Sequence, residues 1–136
     1  MTEFRRVTDQ FSVAPQIGVA DIARAAQAGF KVIINNRPDG EEPGQLTSAE
    51  IEAACTAHNL TYAFIPVVGG PTRAQAAATR EALEKGAPAL AFCRSGTRSI
   101  NTWALGEALE GAPKDELIRA GLAAGYDLRP LLSSIG

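Results

Sequence analysis

The sequence predicts an α/β fold in which helices flank a mainly parallel central sheet. Short β-rich segments alternate with helical stretches, the order expected of strands joined by helical crossovers. The runs Val32–Ile34 and Ala89–Phe92 are continuously apolar, as in strands buried on both faces of a parallel sheet. The chain has 136 residues, 46% of them hydrophobic and 21% charged, which predicts a single domain over residues 1–136.

Local signals place the predicted elements in order. The predicted strands cover residues 4–7, 11–13, 31–35, 61–66 and 87–92. The predicted helices cover residues 19–28, 47–58, 71–85, 99–109, 114–124 and 128–134. Thr47 with Glu50 and Thr72 with Gln75 have the spacing of capping boxes, so they open the second and third helices. Asp127 is the expected N-cap of the last helix.

Composition excludes several function classes. The formal net charge of −2 does not favour nucleic acid or an anionic membrane as a partner. No apolar run approaches the roughly 20 residues needed to span a bilayer, and the N-terminus does not resemble a signal peptide. The two cysteines, Cys55 and Cys93, therefore suggest free thiols in a reducing cytoplasm. The single histidine and the absence of metal-ligand spacing predict no metal and no cofactor. No oligomeric state is predicted.

The segment after the last predicted strand carries the strongest functional signal. Cys93 ends an apolar strand, and a glycine-bearing loop and a helix follow it. A helix N-terminus stabilises a thiolate or a bound anion, Gly96 lets consecutive N–H groups turn inward, and Arg98 can bind an anion with two N–H groups. We expect Cys93 to be a nucleophile and Arg98 to act with it. The remaining expected anion-binding residues of the loop are Arg94, Ser95, Gly96, Thr97 and Ser99.

Cys55 has a different predicted role. It lies in the middle of the second predicted helix, between Ala54 and Thr56. Free cysteine is among the most buried residue types, so we expect Cys55 to fill the core.

The Cys93 loop resembles the active-site loops of two kinds of enzyme. Tyrosine and dual-specificity phosphatases carry His-Cys-x5-Arg, whereas rhodanese-type sulfurtransferases often carry Cys-Arg-x-Gly-x-Arg. Here the spacing from Cys93 to Arg98 is Cys-x4-Arg, and Phe92 stands where the phosphatases have histidine. The loop alone therefore matches rhodaneses more closely.

The whole chain resembles a bacterial family of phosphatase-like domains, which are also fused in front of metallo-hydrolase domains in β-lactamase hydrolase-like proteins. The resemblance rests on residues 32–41, 62–67, 92–99 and 125–128. It implies a dual-specificity-phosphatase-like fold. It also implies hydrolysis of a phosphate monoester, on a small anionic substrate or a phosphorylated protein, through a Cys93 thiophosphate intermediate.

The phosphatase interpretation needs a general acid to protonate the leaving oxygen. In phosphatases of this fold an Asp after the preceding strand supplies it, but residues 67–72 contain no carboxylate. Asp39 is the best substitute, with Glu41 or Glu42 behind it, although Pro-Asp-Gly is also an ordinary turn sequence. Arg37 either binds the anion or pairs with Glu41.

Sulfur transfer is the alternative prediction. A Cys93 persulfide needs no acid for an alkoxide leaving group, and a six-residue loop makes a smaller cradle that suits a single sulfur. A second alternative is an inactive module that binds phosphate. The whole-chain resemblance makes phosphate hydrolysis the first prediction from the sequence, narrowly preferred to sulfur transfer.

Overall fold

The computed structural model describes residues 2–135, and its centre is one five-stranded sheet in the order β1-β2-β5-β3-β4. The strands are β1 (Arg5–Thr8), β2 (Phe11–Ala14), β3 (Val32–Asn35), β4 (Thr61–Phe64) and β5 (Ala89–Phe92). Of these five strands, β1 runs antiparallel to its neighbour β2, and the pairings β2–β5, β3–β5 and β3–β4 are parallel. The predicted fold class, a mainly parallel sheet flanked by helices, is confirmed.

Among residues 2–135, six helices cover the two faces of the sheet. They are α1 (Val19–Gln27), α2 (Ser48–Ala57), α3 (Arg73–Glu84), α4 (Thr97–Leu109), α5 (Lys114–Ala123) and α6 (Arg129–Ser133). No helix of residues 2–135 is long and apolar enough to cross a membrane.

The side chains of the apolar strands pack in two separate hydrophobic clusters, one on each face of the sheet. In β3, Val32 and Ile34 belong to the cluster that includes Trp103 of α4, whereas Ile33 belongs to the cluster of α1 and α2. This alternation requires both faces of β3 to be apolar, which explains its unbroken hydrophobic run. Burying one such side chain contributes about 1.5–3 kcal/mol. Cys55 lies in the second cluster, as predicted, and burial raises the pKa of its thiol to about 12.

Local capping signals are confirmed at two helices and revised at two others. The backbone N–H groups of Glu50 and Gln75 donate to the preceding threonine hydroxyls, so both capping boxes form. Helix α4 begins at Thr97, two residues before the predicted start, because Gly96 leads directly into it. The N-cap position of α6 is Leu128 rather than Asp127, although the Asp127 carboxylate accepts the Arg129 N–H at 3.1 Å.

The parallel register brings four chain segments to one edge of the sheet. Ala14 and Asn35 are both paired with Phe92, and Asn35 is also paired with Phe64. The segments that follow these residues therefore leave the sheet side by side. This is the edge at which α/β proteins usually bind ligands.

Candidate active site

Cys93 directly follows β5 at the edge of the sheet where the parallel strands end. Its side chain is fully buried, and its Sγ accepts a hydrogen bond from the Gly96 N–H at 3.1 Å. Gly96 has a φ of +92° and is the N-cap of the 13-residue helix α4. An added Cβ at Gly96 would lie 2.1 Å from the Tyr126 hydroxyl oxygen, so both the conformation and the space require glycine there. The loop thus directs a backbone donor at the sulfur.

The other side chains of the loop divide into an exposed and a buried group. Arg94, Ser95 and Thr97 are exposed, and the Ser95 hydroxyl donates to Thr97 Oγ1 at 3.1 Å. Ser99 is 1% exposed, and its Oγ has no hydrogen-bond partner among the described residues. A buried hydroxyl without a partner is costly, so the Ser99 hydroxyl requires a partner that the described residues do not supply.

Arg98 is paired with a carboxylate from another loop. Its Nη1 and Nη2 each donate to the Glu41 carboxylate at 2.8 Å, and Nη1 also donates to the Val67 carbonyl at 2.9 Å. The pair with Glu41 raises the pKa of Arg98, and the nearby Cys93 sulfur adds to this effect. Arg98 therefore lies beside Cys93, but its guanidinium fork is occupied by a carboxylate.

Glu41 is held from a second side by Arg37. The Arg37 side chain is 2% exposed, and its Nε donates to Glu41 at 2.9 Å. Hydrogen bonding to Arg98, supported by Arg37, lowers the pKa of Glu41 to about 2 despite its partial burial. Glu41 is thus an ionised carboxylate between two guanidinium groups, not a proton donor.

Arg37 does not face an open anion pocket. Its Nη1 donates to Gln16 Oε1 and its Nη2 to Glu42, each at 3.0 Å, in addition to the bond with Glu41. All three nitrogens are engaged by the protein. Of the two roles that the sequence left open for Arg37, the structure shows pairing with Glu41. Substrate binding by Arg37 stays a prediction.

Asp39 lies on the expected loop after β3, but its carboxylate bonds the N-terminus of α2. It is exposed, and its Oδ1 accepts the Ser48 N–H at 2.7 Å. Ser48 is the first residue of α2, and a carboxylate is favourable there because of the unpaired N–H groups and the helix dipole. Asp39 thus has a turn and capping role in this structure, and its role as the catalytic acid stays a prediction.

Tyr126 is the main site residue to which the sequence assigned no role. Its hydroxyl donates to the Ser95 carbonyl at 2.8 Å and accepts a bond from Arg5 Nη1 at 2.6 Å. The Arg5 guanidinium also lies 5.4 Å from the centre of the tyrosine ring. Tyr126 belongs to one of the segments that carry the family resemblance, yet only the fold brings it against the Cys93 loop.

The site contains no cluster of metal ligands. Over residues 2–135, no three His, Cys, Asp or Glu side chains lie together in a way that could hold a metal ion.

Comparison with known proteins identifies the family. The family model described as "Beta-lactamase hydrolase-like protein, phosphatase-like domain" matches residues 3–110. A β-lactamase hydrolase-like protein from Agrobacterium fabrum is 39% identical over 127 residues, and one from Xylella fastidiosa is 35% identical over 125 residues. Each match covers 90% of this chain and 29% of the relative, so the chain spans less than a third of the length of these relatives.

Solved structures place the same fold among phosphatases. A Neisseria meningitidis protein, provisionally assigned as a phosphatase, has a TM-score of 0.83 and 33% identity over 96% of this chain and 94% of its own. The kinase-associated phosphatase, crystallised with its catalytic-site cysteine replaced by serine, has a TM-score of 0.72 and 14% identity over 97% of this chain and 90% of its own. The chain therefore belongs to the family of phosphatase-like domains of β-lactamase hydrolase-like proteins and has a dual-specificity-phosphatase-like fold.

Proposed function

We propose that this domain is a cysteine-dependent sulfurtransferase in which Cys93 takes a sulfane sulfur from a small anionic donor and holds it as a persulfide. The proposal is supported by the position of Cys93 at the sheet edge, by the Gly96 N–H on its sulfur and by the N-terminus of α4 beside it. Two buried free cysteines also support a reducing, cytoplasmic setting.

The observation that carries this choice is the lack of an available carboxylic acid. In phosphate-ester hydrolysis the thiolate attacks phosphorus, the P–O bond breaks, and the leaving alkoxide must take a proton. Asp39 caps α2, Glu41 is ionised between two arginines, and Glu42 pairs with Arg37. Residues 65–72, the segment after β4, contain no carboxylate. A missing general acid costs about 10²–10⁴ in rate.

Sulfur transfer avoids that requirement. The Cys93 thiolate attacks the outer sulfur of thiosulfate, the S–S bond breaks, and sulfite leaves with the electron pair. An acceptor such as cyanide then attacks the terminal sulfur of the persulfide, which yields thiocyanate and restores the thiolate. Neither step transfers a proton. The short segment between β5 and α4, Cys93–Gly96, also suits one sulfur atom better than a tetrahedral phosphate.

Phosphate monoester hydrolysis through a Cys93 thiophosphate is the second candidate. The family description and the phosphatase fold favour it. Without an acid, this activity would be confined to esters whose leaving group needs no protonation, such as aryl phosphates. A protein phosphorylated on serine or threonine would then be a poor substrate, because an alkoxide is a poor leaving group, whereas phosphotyrosine is itself an aryl ester and would remain a substrate.

A paired assay on one preparation separates these functions. We expect thiocyanate from a sulfane-sulfur donor and cyanide, lost in Cys93→Ser and retained in the matched control Cys55→Ala. Hydrolysis of an aryl phosphate that exceeds sulfur transfer and depends on Cys93 would instead establish the phosphatase. If neither activity appears and inorganic phosphate still binds, the domain is a binding module.

A further inference from the structure

Glu41 controls the net charge of the anion site. The Arg98 fork is filled by its carboxylate, with both N–O distances at 2.8 Å. A bound anion that uses Arg98 must therefore share the guanidinium with a fixed negative charge or displace it. Because the side chains of the site lie close together and partly out of water, the repulsion between that anion and Glu41 is weakly screened.

The position of Glu41 is fixed by its own loop. Arg37 binds it from the buried side, and the Glu41 N–H donates to Gln45 Oε1 at 3.1 Å. The Gln45 amide in turn donates to the Pro38 carbonyl at 2.8 Å. This bracing opposes movement of the carboxylate away from Arg98 when an anion arrives.

Pairing balances the charges of Arg98 and Arg37, and the exposed Arg94 is the loop cation without an ion pair among the described residues. The charge of Arg98 is balanced by Glu41, and that of Arg37 by Glu42. A dianion at Arg98 would thus meet a guanidinium whose charge is already balanced by a carboxylate in direct reach. A donor with one negative charge meets half the repulsion from that carboxylate.

We propose that Glu41 is a specificity-determining residue that selects sulfane-sulfur donors bearing a single negative charge, such as organic thiosulfonates or persulfides, over dianions such as thiosulfate and phosphate esters. This inference rests on the proposed sulfur transfer for its choice of substrate class. Its charge argument applies to any anion bound at Arg98.

The opposite role makes an opposite prediction. If Glu41 merely orients Arg98 for anion binding, its removal will weaken the binding of dianions. If it repels them, its removal will strengthen their binding. The amide Glu41→Gln removes the charge and keeps the size, so it separates the two roles.

The experiment measures the Kd of inorganic sulfate, which is unreactive, and the KM values of thiosulfate and benzenethiosulfonate. We expect Glu41→Gln to lower the sulfate Kd and the thiosulfate KM about tenfold. The KM of the monoanionic benzenethiosulfonate should fall only about threefold, because half the repulsion is half the free energy. Glu42→Gln is the matched control, since Glu42 bonds Arg37 but not Arg98. We expect it to change the sulfate Kd less than about twofold.

Unchanged or weaker sulfate binding in folded Glu41→Gln overturns the proposal. Glu41→Asp keeps the charge and should bind sulfate as weakly as the unaltered protein, whereas tight binding by this variant also contradicts the proposal. Circular dichroism checks folding, and Glu41→Ala replaces Glu41→Gln if the amide variant does not fold. If neither donor gives up its sulfur to the unaltered protein, the proposed function fails, and the sulfate titrations still decide the role of Glu41.

Discussion

Glu41 and Arg98 are 57 positions apart in the sequence and form a bidentate ion pair with two N–O distances of 2.8 Å. This pair links the loop after β3 to the first turn of α4. It joins the thiol loop to a carboxylate that is buried on one side by Arg37. Because the pair forms only when Glu41 is ionised, the ionisation of Glu41 stabilises the fold.

The first prediction concerns stability in acid. The pKa of Glu41 is lowered to about 2 by Arg98 and Arg37, from an ordinary value of 4.5. The stabilisation is therefore fully present above about pH 4.5 and is lost as the pH falls from there towards 2. With allowance for screening at a partly exposed group, we expect a loss on the order of 1–2 kcal/mol. Urea unfolding between pH 6 and 2 measures it.

Glu41→Gln is the control for this acid effect, because it removes the titrating group. Its unfolding free energy should fall less steeply over the same pH range. If the two proteins have parallel stability profiles, Glu41 does not carry the effect.

The second prediction concerns the guanidinium of Arg98. Lysine keeps the charge but cannot donate to both carboxylate oxygens of Glu41 and also to the Val67 carbonyl with the same geometry. We expect Arg98→Lys to lower kcat/KM for sulfur transfer by about 10–100-fold. Arg73→Lys, at an exposed position at the start of α3, is the matched control and should behave as the unaltered protein. If Arg98→Lys and Arg73→Lys have equal kcat/KM values, the Arg98 guanidinium does not take part in sulfur transfer.

The third prediction concerns the support of the loop by Tyr126. Tyr126→Phe removes the bonds to the Ser95 carbonyl and to Arg5. We expect a loss of about 1–2 kcal/mol in the free energy of unfolding and a fall in kcat of about tenfold.

Tyr62→Phe is the matched control for Tyr126→Phe. The Tyr62 hydroxyl accepts a bond from Asn35 and is hydrogen bonded to Ser48, so its partners differ from those of Tyr126. It should lower stability by a similar amount with little change in kcat. If both variants lose activity equally, the effect of Tyr126 is general destabilisation.

The fourth prediction concerns the buried Ser99 hydroxyl. Because its Oγ has no partner among residues 2–135, Ser99→Ala should leave the free energy of unfolding unchanged within about 0.5 kcal/mol or raise it. If the hydroxyl bonds the transferred group, kcat should fall by about tenfold. Chemical denaturation and turnover by the same preparation test both parts. If Ser99→Ala lowers the free energy of unfolding and leaves kcat unchanged, Ser99 supports the fold and does not bind the transferred group.

Local patterns predicted the parts of the fold that depend on neighbouring residues. The apolar run of β3, both threonine capping boxes and the strand–loop–helix at Cys93 follow from residue type and short spacing. The start of α4 was placed two residues late, because Gly96 continues directly into the helix through its positive φ.

The sequence could not assign partners that meet only in the fold. Asp39, Glu41 and Glu42 are similar carboxylates on one loop, and which one caps α2, meets Arg98 or meets Arg37 depends on the exit angle of that loop. Tyr126 lies 31 positions from Ser95 in the sequence and reaches its carbonyl through the packing of the C-terminal helices. Neither relationship has a periodic or short-range signal.

The most direct test of the central claim is the mass of the intact protein after incubation with benzenethiosulfonate without an acceptor. The account predicts a gain of one sulfur atom, located on Cys93 by peptide mapping, absent in Cys93→Ser and removed by cyanide with formation of thiocyanate. An unmodified Cys93 in the folded protein, or a phosphoryl group trapped on Cys93 from an aryl phosphate without any sulfur adduct, would contradict it.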